Sequence, residues 1–259
     1  MIKAKKSLSQ NFLKDKNIIN KIINLIKIKD KNVLEIGSGK GALTDTILEK
    51  KPKSLLIVEK DYNLAKDLRT RYKNYKNIKI FNKDILNIDI EKKIKKNTIV
   101  FGNLPYNISS QILIKFIKFK KWPPYYDDLI FMFQKELGDK ITSSYPSKNY
   151  GRITIISKYR TTIKNKFLVS PNSFFPKPKV NSMIIHFKPY QSNLFKIKNI
   201  NNLEKITNKI FSNKRKMINK SIKKLFKNDE VSHFINLKKR PTEIKPELYY
   251  RLTNLYETR

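Results

Sequence analysis

The rhythm of the apolar residues leaves this chain few folds to choose from. Runs at 32–36, 54–59, 78–82, 98–102 and 129–134 are short, largely continuous and rich in Ile, Val and Phe. Runs of that length fit strands buried on both faces. Between them, 17–28, 43–50, 63–72 and 109–119 carry apolar residues in helix-like segments. Strand alternating with helix predicts an α/β architecture, a mostly parallel sheet with helices on both faces. Two later runs, 162–168 and 182–187, predict an antiparallel pair, and the proline-bearing "FFPKPKV" (174–180) between them must be an extended loop. Beyond residue 190 the strand runs stop, and 203–227 and 230–256 read as helices. The expected division is a sheet domain over 1–188 and a small all-helical C-terminal domain over 189–259.

That helical part is strongly basic. In 203–227, Ile206, Ile210, Ile218, Ile222 and Leu225 lie near helical spacing, while Lys209, Lys214, Arg215, Lys216, Lys220, Lys223 and Lys224 fill the remaining surface. The whole chain carries 57 Lys+Arg against 21 Asp+Glu, a formal charge of +36. A field of that sign attracts a polyanion. Part of the excess is compositional, because the lysines come with abundant Asn and Ile, as an AT-biased genome would produce. The sequence has no Cys, which removes disulfides, thiolate metal sites and Cys nucleophiles together. The two histidines, His186 and His233, lie far apart, so no metal site is expected. No apolar run approaches the ~18 residues of a membrane span, and the start "MIKAKKSLSQNFL" lacks the apolar core of a signal peptide. A monomeric cytoplasmic protein without membrane contact is the expectation.

Chemistry concentrates where strands end. "VLEIGSGKGALT" (33–44) reads as a strand, a glycine turn and a helix start, and Glu59 closes the next strand. Glycines let backbone approach a ligand, and a carboxylate at that spacing can accept both ribose hydroxyls of an adenosine cofactor. Gly37, Gly39 and Ala42 satisfy a dinucleotide pattern, while Gly37, Gly39 and Gly41 satisfy one usual in methyltransferases. The turn alone therefore leaves NAD and S-adenosylmethionine both open. Asp84 follows the third strand, where its carboxylate can take a hydrogen bond from an adenine amino group; turn or cap duty is an equal alternative.

"FGNLPYNIS" (101–109) follows the fourth strand, at the same edge. The amino group of adenine is a poor nucleophile because its lone pair is delocalised into the ring. Two acceptors on its hydrogens, the Asn103 side-chain oxygen and the Leu104 carbonyl, would favour a more tetrahedral nitrogen. Pro105 stiffens the turn and Tyr106 offers a flat face for stacking. A sulfonium methyl is already electrophilic, so positioning can suffice without a general base. In a nicotinamide-dependent oxidoreductase the same tetrapeptide has no evident task.

At this point "KKSLSQNFL", "VLEIGSGKGALT", "VEKD", "KDIL", "FGNLPYNISS", "FMFQKE", "YGR", "SFFPKPKVNS" and "FSNKRKMINKSI" stand in the order seen in the KsgA-type ribosomal RNA adenine dimethyltransferases, which the chain resembles from residue 5 to residue 225. The resemblance implies a Rossmann-like S-adenosylmethionine-dependent methyltransferase sheet. It also implies dimethylation of the N6 atoms of two adjacent adenosines in the 3′-terminal hairpin of small-subunit 16S-type ribosomal RNA, within a pre-30S-type particle. It assigns Asn11 and Leu13 to a lid over the cofactor, Gly37 and Gly39 to its methionine-side turn and Glu59 to its ribose. Asp84, with the Ile85 backbone, falls to the adenine. Asn103, Leu104, Pro105 and Tyr106 match the methyl-transfer motif, and Phe174 the aromatic that sandwiches the flipped base. Ser9 stands where the family usually has Gly, and Phe175 where a small residue is common.

An adenine inside a duplex is unreachable, so the target must be unstacked into the pocket, and loops are the usual targets. The basic helical part would meet phosphates. Two other readings share the scaffold: an Erm-type large-subunit RNA methyltransferase, and a noncatalytic nucleic-acid-binding assembly or transcription factor.

Overall fold

The computed structural model describes residues 10–192 and 195–259. The elements run β1 (Phe12–Leu13), α1 (Lys16–Ile23), β2 (Asn32–Ile36), α2 (Ala42–Glu49), β3 (Ser54–Glu59), α3 (Tyr62–Arg71), β4 (Ile78–Asn82), β5 (Thr98–Asn103), α4 (Ser109–Ile117) and β6 (Tyr126–Gln134). There follow α5 (Lys135–Thr142), α6 (Arg152–Arg160), β7 (Thr161–Val169), β8 (Phe174–Phe175), β9 (Ser182–Pro189), α7 (Ile200–Phe211), α8 (Asn219–Lys223), α9 (Asn228–Ser232) and α10 (Pro246–Glu257). Seven strands form one sheet in the order β4-β3-β2-β5-β6-β9-β7. From β4 to β6 every neighbour is parallel, and β9 pairs antiparallel with β6.

The central strands bear out the buried reading: Val33, Leu34, Ile57, Val58, Val100 and Phe101 are at most 1% exposed. Helices begin where side chains satisfy the first backbone N–H groups. Asp15 caps α1 through the amides of Asn17 and Ile18, and Asp61 caps α3 through those of Asn63 and Leu64. Register sets the functional edge. Ile36 lies opposite both Val58 and Gly102, and Glu59 opposite Asn82. Gly37, Glu59 and Asn103 therefore stand in one row at the C-terminal ends of three parallel strands, the edge where open α/β sheets place ligands.

The described residues divide into two compact units, one of residues 10–138 and 162–189, the other of 139–161, 190–192 and 195–259. The second unit thus takes in α6, which lies within the sheet part when the chain is cut once at 188. Six of the nine residues of α6 are buried, including Ile155, Ile156 and Tyr159, so it shows no one-sided apolar stripe for a sequence reading to find. Within this unit Tyr150 donates to Ile244 O at 3.0 Å, Tyr250 to Ile155 O at 2.9 Å and Tyr249 to Pro241 O at 2.7 Å.

Two expected helices are broken. Segment 203–227 contains α7, which stops at Phe211, and the five-residue α8; the intervening turn places Ile218 N on Lys239 O at 2.9 Å. Segment 230–256 contains the end of α9 and most of α10, parted by a stretch that includes Pro241, with Pro246 opening α10. Pro lacks the N–H that a continuous helix would need. Among the described residues no helix is long and apolar enough to cross a membrane.

Candidate active site

A cleft opens along the C-terminal edge of β2, β3 and β5. Its wall is built by Gln10–Leu13, the glycine turn after β2, Glu59 and Lys60, and Asn103–Ile108. Of the residues expected at the site, the structure gathers Asn11, Leu13, Gly37, Gly39, Glu59, Asn103, Leu104, Pro105 and Tyr106 around this one cavity.

The glycine turn is shaped by positions no other residue fits easily. Gly39 has φ +57°, and a Cβ there would lie 2.8 Å from the Phe12 ring. At Gly37, φ is +70° and a Cβ would press to 3.3 Å from the Asn103 carbonyl oxygen, so the turn lies directly against the Asn-Leu-Pro-Tyr segment. Glu59 is 5% exposed and holds this region together: Gly39 N donates to Oε2 at 3.0 Å and Asp61 N to Oε1 at 2.9 Å. A carboxylate has about four lone-pair sites, so capacity for ligand hydroxyls remains. Desolvation raises its pKa above the ordinary value, against the lowering effect of those backbone donors.

The Asn-Leu-Pro-Tyr turn is fastened from both sides. Asn103 Nδ2 donates to the Asn11 carbonyl at 3.0 Å, which orients the amide and leaves its Oδ1 as the atom for an incoming donor. Pro105 ends strand pairing, and Ile108 N closes the turn on Pro105 O at 3.2 Å. Tyr106 is half-buried, and its hydroxyl pairs with Ser182 Oγ at 2.6 Å. Ser182 is fully buried at the start of β9, so the far antiparallel strand fixes the ring's attitude.

The N-terminal segment is tied down by a pairing of distant residues. β1 runs antiparallel to β8, with Phe12 opposite Phe175 and Leu13 opposite Phe174. Lys14 N extends the ladder to Ser173 O at 2.9 Å. Residues 5–9 of the "KKSLSQNFL" motif, Ser9 among them, lie outside the described residues. Phe174 does not line the cavity. It is 1% exposed, in an apolar cluster with Leu13, Ile19 and Ile184, whereas Phe175 beside it is 63% exposed. Alternation along a strand accounts for the split, since neighbours point to opposite faces.

Asp84 and Ile85 also lie off the cavity wall. Asp84 accepts from Lys60 Nζ at 2.8 Å and from Leu86 N at 2.9 Å, and so is joined to the cavity through Lys60. Burial raises its pKa, but the bonds from Lys60 and Leu86 outweigh that and hold it below the ordinary value.

Three residues of the site went unread in the sequence. Glu35 lines the cavity at 1% exposure and accepts from Thr44 Oγ1 at 2.7 Å, yet within "VLEIG" it looks like one more strand residue. Ser38 lies in the glycine turn with a buried, unpartnered hydroxyl. Ser182 is marked only by its place in "KVNS". Fit to a nucleoside cofactor follows from this donor set: a close-approach glycine turn, two carboxylates on one wall and buried polar atoms lacking partners. Among the described residues no group of three or more His, Cys, Asp or Glu is placed to hold a metal ion.

Fold and cavity together define a class, the Rossmann-like S-adenosylmethionine-dependent methyltransferases. Within it, the ribosomal RNA adenine dimethylases match residues 1–258, and the chain belongs to that family. It is 44% identical over 259 residues to the ribosomal RNA small subunit methyltransferase A of Pelagibacter ubique (strain HTCC1062), covering 99% of this chain and 98% of that one. The protein of the same name from Mesomycoplasma hyopneumoniae (strain 232) is 37% identical, with 97% and 96% covered. Among solved structures, a dimethyladenosine transferase from Plasmodium falciparum superimposes with a TM-score of 0.81 at 26% identity, covering 95% of this chain and 98% of the other. The 23S rRNA methyltransferase ErmE shares the fold, with a TM-score of 0.70 at 23% identity and 95% and 100% covered.

Proposed function

We propose that the protein dimethylates the N6 atoms of two adjacent adenosines in the 3′-terminal hairpin of small-subunit ribosomal RNA. The observation that carries this reading is the junction of the glycine turn with Asn103 at one sheet edge. The curated relatives, named as small subunit methyltransferases over nearly their whole length, favour that RNA over the Erm-type and noncatalytic readings. S-adenosylmethionine, when bound, supplies a sulfonium methyl that needs no further activation.

The chain's own residues do the rest. Gly37 and Gly39 admit the methionine side, Glu59 takes the ribose hydroxyls, and Asp84 with the Ile85 backbone takes the adenine. Asn11 and Leu13 close over the cofactor. Asn103 Oδ1 and the Leu104 carbonyl hold the two hydrogens of the acceptor amine, so its lone pair points out of conjugation. The Pro105 turn fixes that carbonyl, and the Tyr106 ring, steadied by Ser182, stacks the base. Phe174 stacks the opposite face once RNA draws its ring out of the Leu13 cluster. Phe174→Leu, which keeps an apolar side chain in the cluster, should then lower transfer at a modest cost in stability.

Exposed Lys214, Arg215, Lys216, Lys220, Lys223 and Lys224 carry the phosphate contacts. None of them pairs with a carboxylate among the described residues. The setting is the cytoplasm, the substrate a pre-30S-type particle and the enzyme a monomer. Transfer of tritiated methyl to unmethylated small-subunit particles, mapped to adjacent adenosines, tests the assignment. Incorporation only into large-subunit RNA would overturn it.

A further inference from the structure

We propose that the ammonium group of the cofactor's amino-acid end docks beside Oε1 of Glu35, and that its arrival drives a proton off this carboxyl group. The inference rests on placing S-adenosylmethionine in this cavity and adds a proton balance to that reading. Glu35 is 1% exposed on the cavity wall, one position before the end of β2. Its Oε2 is satisfied by Thr44, while Oε1 has no partner, and neither has the buried Ser38 hydroxyl on the same wall. Folded proteins leave few buried polar atoms unmatched. Two on one wall mark where a ligand brings the missing donors and acceptors.

The groups that face Glu35 come from every neighbouring element. Thr44 and Asp45 lie on α2, Glu59 ends β3, and Tyr72 follows α3. Lys40 and Lys60 line the same cavity. Burial acts most strongly on the carboxyl, and the negative fields of Glu59 and Asp45 add to it; its pKa is pushed up to about 8 despite the bond from Thr44. Without ligand the carboxyl is therefore a neutral acid at pH 7. An ammonium beside Oε1 reverses the balance, because an opposite charge at close range favours the ionised form. The proton passes to solvent, and the pocket gains an ion pair only when a cation is present.

S-adenosylhomocysteine keeps the ammonium and lacks the sulfonium, so it isolates the effect. Titration calorimetry of the full-length protein at pH 7, in buffers of different ionisation enthalpy, counts the protons released. A carboxyl titrating near 8 should release about 0.9 proton per ligand, and the dissociation constant should fall about twentyfold from pH 6 to pH 7.5. 5′-Methylthioadenosine, which shares the nucleoside without the charge, should release none. Glu35→Gln should bind S-adenosylhomocysteine with no proton release and no pH slope over that range. The two wild-type titrations decide the matter if that variant fails to fold. No proton release by the wild type, or undiminished release in Glu35→Gln, overturns the inference. Failure of S-adenosylhomocysteine to bind at any pH overturns instead the placement of the cofactor on which it rests.

Discussion

The two compact units differ in the polar groups they bury. In the sheet unit the buried polar groups include acids: Glu35, Glu59, Asp61 and Asp128 are all at most 5% exposed. Their partners range from the Thr44 hydroxyl and the amides of Gly39 and Asn63 to His186, on Asp128 at 2.7 Å. In the helical unit the buried groups include phenols that close loops onto backbone carbonyls, and burial pushes the hydroxyls of Tyr150, Tyr249 and Tyr250 far above their ordinary pKa. Charge there is carried mostly by exposed lysines, with Arg160 buried at 7% exposure. A buried acid is costly unless paired, and so marks where a protein holds chemistry; a buried phenol bonded to backbone serves packing. Chemistry and RNA affinity should thus be separable by substitution.

The largest expected effect is at Asn103. Asn103→Ala should lower methyl transfer by about a hundredfold or more, as loss of one preorganised hydrogen-bonding group typically does, while leaving RNA binding intact in a gel-shift assay. Full activity in that variant would erase the proposed role of its side chain.

Glu35 comes next, read as stability. The folded protein keeps a proton that the unfolded chain gives up above pH 4.5, so stability is highest below 4.5 and is lost as pH rises through about 8. Glu35→Gln removes that loss. It should gain on the order of 3 kcal/mol over the wild type between pH 5 and pH 8.5 in ligand-free denaturation. A constant difference across that range would show that the carboxyl does not titrate there.

Tyr106 and Ser182 sharpen the comparison further. Tyr106→Ala should be worse for transfer than Tyr106→Phe, because the ring stacks and the hydroxyl only steadies it. Tyr106→Phe and Ser182→Ala should each cost about 1 kcal/mol of stability, and the double variant little more than either alone. Equal losses of activity for Tyr106→Ala and Tyr106→Phe would give the hydroxyl a direct role.

The smallest effect at physiological salt belongs to the helical unit. Replacing Lys220, Lys223 and Lys224 together with Ala should leave S-adenosylhomocysteine affinity unchanged. It should flatten the salt dependence of RNA binding by about 2–3 in log–log slope. An unchanged slope would move the phosphate contacts elsewhere.

Much of the sheet was legible because short buried strands and strand-end turns are local patterns. Predicted runs at 32–36, 54–59 and 78–82 coincide with β2, β3 and β4. Helix ends were less so: α1 stops at Ile23, short of the expected 28, and 203–227 is broken after Phe211. Apolar spacing there continues through a turn whose geometry depends on Lys239, far along the chain. The site residues after β2, β3 and β5 were legible for the same reason as the strands. Phe174 was not, because its surroundings are set by a ladder to Leu13.

Sequence alone thus determined the order of strands and helices, the glycine turn and the Asn-Leu-Pro-Tyr turn, all of which arise from neighbours in the chain. Tertiary structure decided what depends on distant partners. It set Asn103 against Asn11, Tyr106 on Ser182 and Phe174 in the core beside an exposed Phe175. It also left Glu35 dry on the cavity wall. Burial and register belong to the packed molecule, and a carboxyl group changes its chemistry only when the rest of the fold removes its water.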